Sequence, residues 1–323
     1  MRPKISIIIC TYNGEEIISR CIDSILNQDY KNFEILCVDG GSSDNTVKII
    51  KNYSDKRIKI INNKNRLPEG VGNGKWLGFK KSCGEIVGFI DQDNELERKD
   101  LFDKVIKTLR KEKKLIGILG GVKHDFLSKP VTRYISLVGT DSFFSYRSID
   151  FLRNINDYSI DNDLEEVNIE LDNIQLTGGN CFFYTKSELK KAGGYSQDVI
   201  VIKDLVKSGK TKLLIIKDST IHYSEDSFLK LIKKKFRWGK VYFKNKKQKM
   251  FNYFPNTRLE KTTFFRTIAF NFLILPNFYY SLKLYYKSKD LVSFMFPFIA
   301  FINTFAYFLS TFRSIIIFNL IKN

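Results

Sequence analysis

Two aspartates one residue apart, Asp91 and Asp93, close the apolar run Glu85-Ile86-Val87-Gly88-Phe89-Ile90. Such a run reads as a strand that delivers a carboxylate pair to its own carboxyl end, where open α/β sheets place their ligands. Hard oxygen donors at a strand end suit Mg²⁺ or Mn²⁺ shared with a diphosphate. Alone, Asp-x-Asp also describes an ordinary solvated turn. Its setting favours chemistry: two polar clusters at earlier strand ends precede it, and the carboxylate of Asp204 follows it.

The elements that must position these groups are legible in the apolar pattern. Ile5-Ser6-Ile7-Ile8-Ile9-Cys10 reads as a buried, mostly β-branched strand that runs into Thr11-Tyr12-Asn13-Gly14, with Asn-Gly as its turn. Ile17, Ile18, Cys21, Ile22, Ile25 and Leu26 then recur at helical spacing and end near Asn27. A second strand, Phe33-Glu34-Ile35-Leu36-Cys37-Val38, meets Asp39-Gly40-Gly41-Ser42-Ser43-Asp44-Asn45-Thr46, whose glycines and short polar residues permit a tight turn and a helix cap. Ile58-Lys59-Ile60-Ile61 reads as a third strand. Strands alternating with helices predict a right-handed, mostly parallel α/β sheet, with Tyr12, Asp39 and Asp91 along one edge.

Taken together, Ser6 to Asn13, Asp39 to Thr46, Gly84 to Asp93 and Thr177-Gly178-Gly179-Asn180 resemble the family 2 glycosyltransferases. The resemblance rests on the ordered set with matching spacing and covers roughly residues 4 to 240. It implies a GT-A fold and a nucleotide-diphosphate sugar donor, generally used with inversion at the anomeric carbon. Thr11, Tyr12 and Asn13 match positions lining the nucleotide pocket, and Asp39 matches one that hydrogen-bonds the base or ribose. A carboxylate accepts readily from such groups; a turn or cap aspartate is the alternative. Asp93 would hold the divalent ion on the diphosphate, and Asp91 would reach the ribose or the ion through water. His222, after the run Leu213-Leu214-Ile215-Ile216, matches a histidine that contacts metal or diphosphate in many GT-A enzymes, as neutral imidazole can. Packing against Tyr223 is its other reading, and His124 receives no role.

The stretch Gly193-Gly194-Tyr195 through Lys203-Asp204 resembles the family's Gly-Gly turn and acidic pair, whose second acid serves as general base for the acceptor hydroxyl. Here Lys203 replaces the first acid. That substitution lowers the basicity of Asp204, or fits an acceptor phosphate that needs no base. A helix N-terminal aspartate is the structural alternative for Asp204. Gly70-Val71-Gly72-Asn73-Gly74-Lys75 lacks the preceding strand and the third glycine of a dinucleotide fingerprint. It resembles the family's glycine-rich donor loop ahead of a helix of Trp76, Leu77, Phe79 and Lys80. Gly70 would line the donor site, and Lys75 would touch the diphosphate or stand in solvent.

With 323 residues, 43% hydrophobic and 27% charged, the chain can bury one large domain and an appendage. Five scattered cysteines without metal or disulfide spacing fit a reducing compartment, and Ile5 to Cys10 is too short for a signal-peptide core. Much of the +18 charge lies late: residues 230–249 hold ten Lys or Arg and no acid. Positions 229, 232, 236, 239 and 243 form an apolar stripe on that segment, which predicts a cationic amphipathic helix at an anionic bilayer. By resemblance to membrane members of the family, Lys234, Arg237 and Trp238 would bind the acceptor. Residues 291–312 carry no charge and would extend about 33 Å as a helix, enough to span. Residues 267–282 reach only about 24 Å and contain Pro276, so they span with snorkelling flanks or form a re-entrant helix. These segments argue against nucleic acid as the partner of the basic patch, and the preceding cations favour a cytoplasmic catalytic face.

The expected organisation is therefore a catalytic domain over 1–225, a basic interfacial region over 226–260 and membrane-embedded helices over 261–323. Residues 124–175 match the family least and read as an insertion, either an acceptor-binding loop or a surface excursion. The expected activity is transfer of a sugar to a hydroxyl of a lipid-linked or envelope-glycan acceptor. A polyprenyl-phosphate sugar synthase and a non-catalytic nucleotide-sugar-binding membrane protein are the alternatives.

Overall fold

A computed structural model of the chain describes residues 3–63, 71–112, 114–139, 160, 162–169, 180–195, 198–223, 227–247 and 258–322. Gly70 and residues 177–179 lie outside this set, as does most of the 124–175 segment. The chain divides into two compact units, one of residues 1–123 with 158–223 and the other of 124–157 with 224–323.

The first unit is built on one sheet. Strands β1 (Ile5–Thr11), β2 (Phe33–Asp39), β3 (Ile58–Asn62) and β4 (Ile86–Ile90) pair in parallel in the order β3-β2-β1-β4. β5 (Asn94–Leu96), β6 (Leu115–Val122), β7 (Leu164–Asn168), β8 (Cys181–Thr185) and β9 (Lys212–His222) complete it. β8 runs antiparallel between β4 and β6, β6 is parallel to β9, and β5 and β7 are antiparallel to β9. Mostly apolar runs make these strands, because both faces of the central ones are covered. Ile5, Ile7 and Ile9 join the core on one face with Ile18, Cys21, Ile22 and Ile25 of α1 (Ile18–Leu26) and with Leu101, Phe102 and Val105. Helices α2 (Thr46–Lys51), α3 (Val71–Lys81) and α4 (Leu101–Lys111) complete the first half of the unit.

One expectation needs correction on the other face. Gly72 and Gly74, taken for a loop before the Trp76 helix, lie within α3, which begins at Val71, while Gly70 lies outside the described residues. Gly74, like Gly78, serves close packing. A Cβ at Gly78 would stand 2.4 Å from Ile8 Cγ2, and one at Gly74 would stand 2.8 Å from Cys10 Sγ. Bare backbone at both positions lets α3 lie directly on β1, and a single added methyl would force the pair apart.

After α5 (Pro130–Val138), which belongs to the second unit, α6 (Lys186–Lys191) and α7 (Asp198–Lys207) return to the first. The second unit continues with α8 (Phe228–Lys247), α9 (Arg258–Phe272), α10 (Ile274–Ser288), a 3₁₀ turn (Leu291–Met295) and α11 (Phe296–Lys322). Its core gathers Val131, Tyr134, Ile135, Leu231, Leu284 and Phe296. The basic segment is helical, as its periodicity predicts, but its inward residues are Leu231 and Lys235, one turn apart. Leu229 of the apolar stripe is 62% exposed, and Ile232 and Phe236 are half-buried. The uncharged run 267–282 is not one helix: it breaks at Leu273, with Pro276 in the first turn of α10, where a missing N–H costs nothing. Among the described residues, Leu291–Ser310 is long and apolar enough to cross a membrane.

Candidate active site

Three connections gather the candidate residues at the carboxyl ends of β1, β2 and β4. The first joins the β1 turn to the carboxylate pair. Thr11 Oγ1 donates to Gln92 Oε1 at 2.6 Å, and Tyr12 N donates to the same oxygen at 3.1 Å. Gly14 makes room for that amide, since a Cβ there would meet Gln92 Oε1 at 2.5 Å. Asn13 adopts a left-handed φ of 46° and accepts from Ser43 N at 2.9 Å, which ties the β1 turn to the loop after β2. Asp39 at the end of β2 is nearly buried and accepts from Gly41 N, Ser42 N and Ser42 Oγ, so it shapes that loop as the turn reading of its sequence allowed.

The second connection is ionic. Lys75 Nζ stands 3.2 Å from Asp91 Oδ1, with the lysine side chain only 2% exposed and the aspartate 28%. The solvent-exposed reading of Lys75 is therefore wrong: α3 lies so close to β1 that its second turn carries the lysine under the sheet edge. Lys75 Nζ also lies 5.8 Å from the ring of Tyr195, which packs on Phe89 with centroids 4.2 Å apart. The adjoining Gly193 and Gly194 have φ of 92° and 86°, and a Cβ on Gly194 would meet Trp76 at 2.1 Å. The Gly-Gly turn is thus seated on α3 beside the Lys75–Asp91 pair, which requires glycine on both counts.

The third connection depends on sheet register. Asn94 of β5 pairs with His222 of β9, and this places His222 Nε2 at 3.2 Å from Asp93 Oδ2. Tyr223 N donates to Asp93 O at 2.8 Å, while Asn180 O accepts from Asp91 N and from Asn94 Nδ2, both at 3.0 Å. The carboxylate turn is thereby fixed from both flanking strands. Between these connections lies a cavity of about 220 Å³ lined by Cys10, Thr11, Tyr12, Gly40, Asn63, Asp91 and Asp93 among others. A larger cavity of about 310 Å³, lined by Arg110, Glu112, Thr185, Glu188 and Lys210, lies where β6 begins and β8 ends, with Glu188 and Lys210 paired across it at 2.9 Å. It holds none of the strand-end groups.

The remaining candidates are placed differently. Asp204 is the seventh residue of α7, half-buried beside the buried Ile202 and Leu205, so it is not an N-terminal helix aspartate; Asp198 takes that position. Lys234 and Arg237 lie on α8 of the second unit, half-buried and exposed respectively, and nothing is described of the Trp238 side chain. Gln92 and Tyr195 were not singled out by the sequence, because their importance comes from long-range contacts. All five cysteines are free thiols, and burial pushes Cys37 up to about 12.

A divalent ion can be tested against this donor set. Among the described residues no group of three or more His, Cys, Asp or Glu side chains gathers. What stands together is one carboxylate, Asp93, and one imidazole, His222, with Asp91 held by Lys75. Such a set fits an ion that takes few protein ligands and completes its shell with phosphate oxygens and water, as Mg²⁺ and Mn²⁺ do.

The family model of glycosyl transferase family 2 matches residues 6–190. The chain is 40% identical over 96 residues to the GalNAc(5)-diNAcBac-PP-undecaprenol beta-1,3-glucosyltransferase of Campylobacter jejuni, which is 29% of this chain and 31% of that protein. It is 38% identical over 90 residues to the Escherichia coli UDP-Glc:alpha-D-GlcNAc-diphosphoundecaprenol beta-1,3-glucosyltransferase WfgD, 28% of this chain and 35% of that one. The chain thus matches about a third of the length of these relatives. Its fold is similar to that of the mannosyltransferase PcManGT of Pyrobaculum calidifontis, solved with GDP-Man and Mn²⁺, at 13% identity and a TM-score of 0.59, covering 98% of this chain and 88% of that one. The fold is GT-A, a mixed and mostly parallel sheet flanked by helices. The strand-end clusters at Thr11, Asp39 and Asp91 lie within the matched segment, which spans more than half of the chain, and on that match the chain belongs to glycosyl transferase family 2.

Proposed function

We propose that the chain is an inverting glycosyltransferase that moves a sugar from a nucleotide-diphosphate donor to a hydroxyl of a lipid-linked acceptor at the cytoplasmic face of a membrane. The observation that carries this reading is the convergence of Thr11–Gln92, Lys75–Asp91 and Asp93–His222 around one cavity at the carboxyl edge of the sheet. The C. jejuni and E. coli relatives, whose names specify undecaprenol-diphosphate-linked acceptors, support the acceptor class.

In this reading Tyr12 and Asp39 frame the base and ribose, and Gln92 keeps the β1 turn and the carboxylate turn at fixed separation. Lys75 neutralises Asp91, so the donor's diphosphate meets one unpaired carboxylate fewer. Asp93 and His222 would hold a Mg²⁺ or Mn²⁺ ion, which when bound offsets the charge that develops on the departing nucleotide diphosphate. Asp204 accepts the proton of the acceptor hydroxyl as its oxygen attacks the anomeric carbon. Attack from the face opposite the leaving group forms one bond as the other breaks, and inversion follows. Attachment would run through the C-terminal helices, with Lys234, Arg237 and Trp238 meeting the acceptor.

One observation favours a second reading. Lys203 stands beside Asp204 where the family has an acid, which suits an acceptor phosphate, as in a polyprenyl-phosphate sugar synthase. Transfer from a panel of nucleotide sugars, in membranes with Mn²⁺, to undecaprenol-diphosphate glycans and to polyprenyl phosphate decides between them. Product on the glycan is expected. Product on the lipid phosphate favours the synthase, and donor binding without any product leaves a binding protein.

A further inference from the structure

In the last helices polar side chains share the interior with Leu284, Phe296 and Ile299, while large apolar ones face outward. Asn277 and Ser281 of α10 and Asn303, Thr304 and Ser310 of α11 are buried. Leu275, Tyr279, Leu282 and Tyr286 of α10, and Phe298, Ile302, Phe305 and Phe308 of α11, are between 38% and 82% exposed. In water an amide gains by facing outward and a phenylalanine by facing inward; apolar surroundings invert that preference. The inner polar groups have partners: Asn277 Nδ2 donates to Phe270 O at 2.9 Å, and Thr304 Oγ1 to Ala300 O at 2.7 Å.

The two outward faces differ in chemistry. The exposed α11 residues are apolar through Leu309. The α10 face, spaced 275, 279, 282 and 286 as one helical side, mixes tyrosine and leucine with Lys283 and Lys287, and Lys289 follows. Lys283 Nζ lies 5.0 Å from the Tyr279 ring and Lys289 Nζ 4.2 Å from the Tyr286 ring. The carboxylate nearest in sequence is turned inward. Asp290 is 5% exposed, accepts from Val292 N at 3.1 Å, and meets His124 Nε2 at 3.0 Å and Arg133 Nε at 3.1 Å. The surface of α10 is therefore aromatic and cationic. Length argues too: 15 residues rise about 22 Å, short of a hydrocarbon core of about 30 Å.

We infer that α10 lies in the plane of an anionic bilayer, at head-group depth, while the exposed face of α11 enters the hydrocarbon. Tyrosines and lysines are the side chains that bridge that boundary, with apolar bodies inward and polar tips in the head groups. The partner is the anionic lipid surface itself. This rests on the membrane attachment proposed above and names the surface that makes it.

The test needs neither donor nor transfer, so its outcome is separate from that of the catalytic reading. The full chain with Cys83→Ser, to remove the exposed thiol, is spin-labelled through Leu275→Cys, Leu282→Cys, Tyr286→Cys or Phe305→Cys. It is reconstituted in phosphatidylcholine vesicles with or without phosphatidylglycerol. Oxygen and nickel-chelate accessibility should place labels 275, 282 and 286 at one common depth near the head groups, with 305 deeper. Lys283→Glu with Lys287→Glu and Lys289→Glu should shift the α10 labels toward water in anionic vesicles and leave them unchanged in neutral ones. A steady change in depth from 275 to 286 would show a crossing helix and overturn the inference. Full nickel accessibility at all four positions would overturn it as well.

Discussion

Gln92 reaches back from the turn between the two aspartates and accepts the hydroxyl proton of Thr11 at 2.6 Å. Because Tyr12 N donates to the same oxygen, one amide fixes the spacing between the nucleotide wall and the carboxylate turn. Gln92→Ala removes both bonds, worth about 1 kcal/mol each. Donor affinity should fall about tenfold or more, and the melting temperature should drop by a few degrees for the two lost bonds. Calorimetric titration of a nucleotide diphosphate measures it, and unchanged affinity removes Gln92 from the site.

Asp93→Ala should abolish the metal dependence of donor binding without unfolding the chain. His222→Ala should weaken it, since the imidazole stands 3.2 Å from that carboxylate. The comparison is nucleotide-diphosphate affinity in Mn²⁺ with and without chelator. If the Asp93 variant keeps the parent's chelator sensitivity, the ion is held elsewhere.

Lys75→Met leaves Asp91 without its buried cation. Because Asp91 is 28% exposed, water relieves part of the loss, and the stability cost should be about 1–3 kcal/mol. Donor affinity should fall further than stability alone explains, and Lys75→Arg should recover part of it. A Met variant with parental donor affinity would falsify the positioning role.

Asp204→Asn keeps shape and removes basicity. For a hydroxyl acceptor, single-turnover transfer at saturating donor should drop by about 10²–10⁴. A drop of less than about tenfold, with donor binding intact, transfers the lead to the phosphate acceptor.

At the opposite end of the sheet, Glu34 is buried and accepts from Ser6 Oγ at 2.7 Å, Cys83 N at 2.9 Å and Lys59 Nζ at 3.0 Å. Burial alone would push its carboxyl up, but the bonds from Cys83, Ser6 and Lys59 outweigh it and hold it down at about 2. A depressed carboxyl stabilises the fold above its ordinary value of 4.5 and loses that contribution as pH falls toward 2. Glu34→Gln should therefore flatten the acid limb of a stability–pH curve between those values. An unchanged limb would assign the acid sensitivity to other groups.

How much of this was legible in the sequence follows from the range of each contact. Ile5 to Cys10 and Phe33 to Val38 announce their strands, because a strand covered on both faces is mostly apolar, and its polar exceptions, Ser6 and Glu34, bond each other. The clusters that follow them at Thr11, Asp39 and Asp91 share an edge because parallel strands end together. Gly74 misled, since a seam for close packing and a phosphate-binding turn use the same residue. Gln92, Tyr195 and Asn180 gain their meaning from partners tens of residues away. The burial of Lys75 could not be read before the distance between α3 and β1 was known. Asp204 lies inside α7, which removes the helix-start alternative and leaves its role as a base to the transfer experiment.

The order of the strands also sets the order of assembly. Asp93 and His222 are separated by 129 positions, and His222 ends β9, which pairs with β5, β6 and β7. Domains tend to fold as they leave the ribosome. A nascent chain should therefore acquire its carboxylate–imidazole pair only when Tyr223 has emerged, as the closing event of the first unit. By then segment 124–157 has emerged, yet its companions from 224 onward have not. The first unit should thus be complete while the second is still emerging, with α5 waiting for the later helices it packs with.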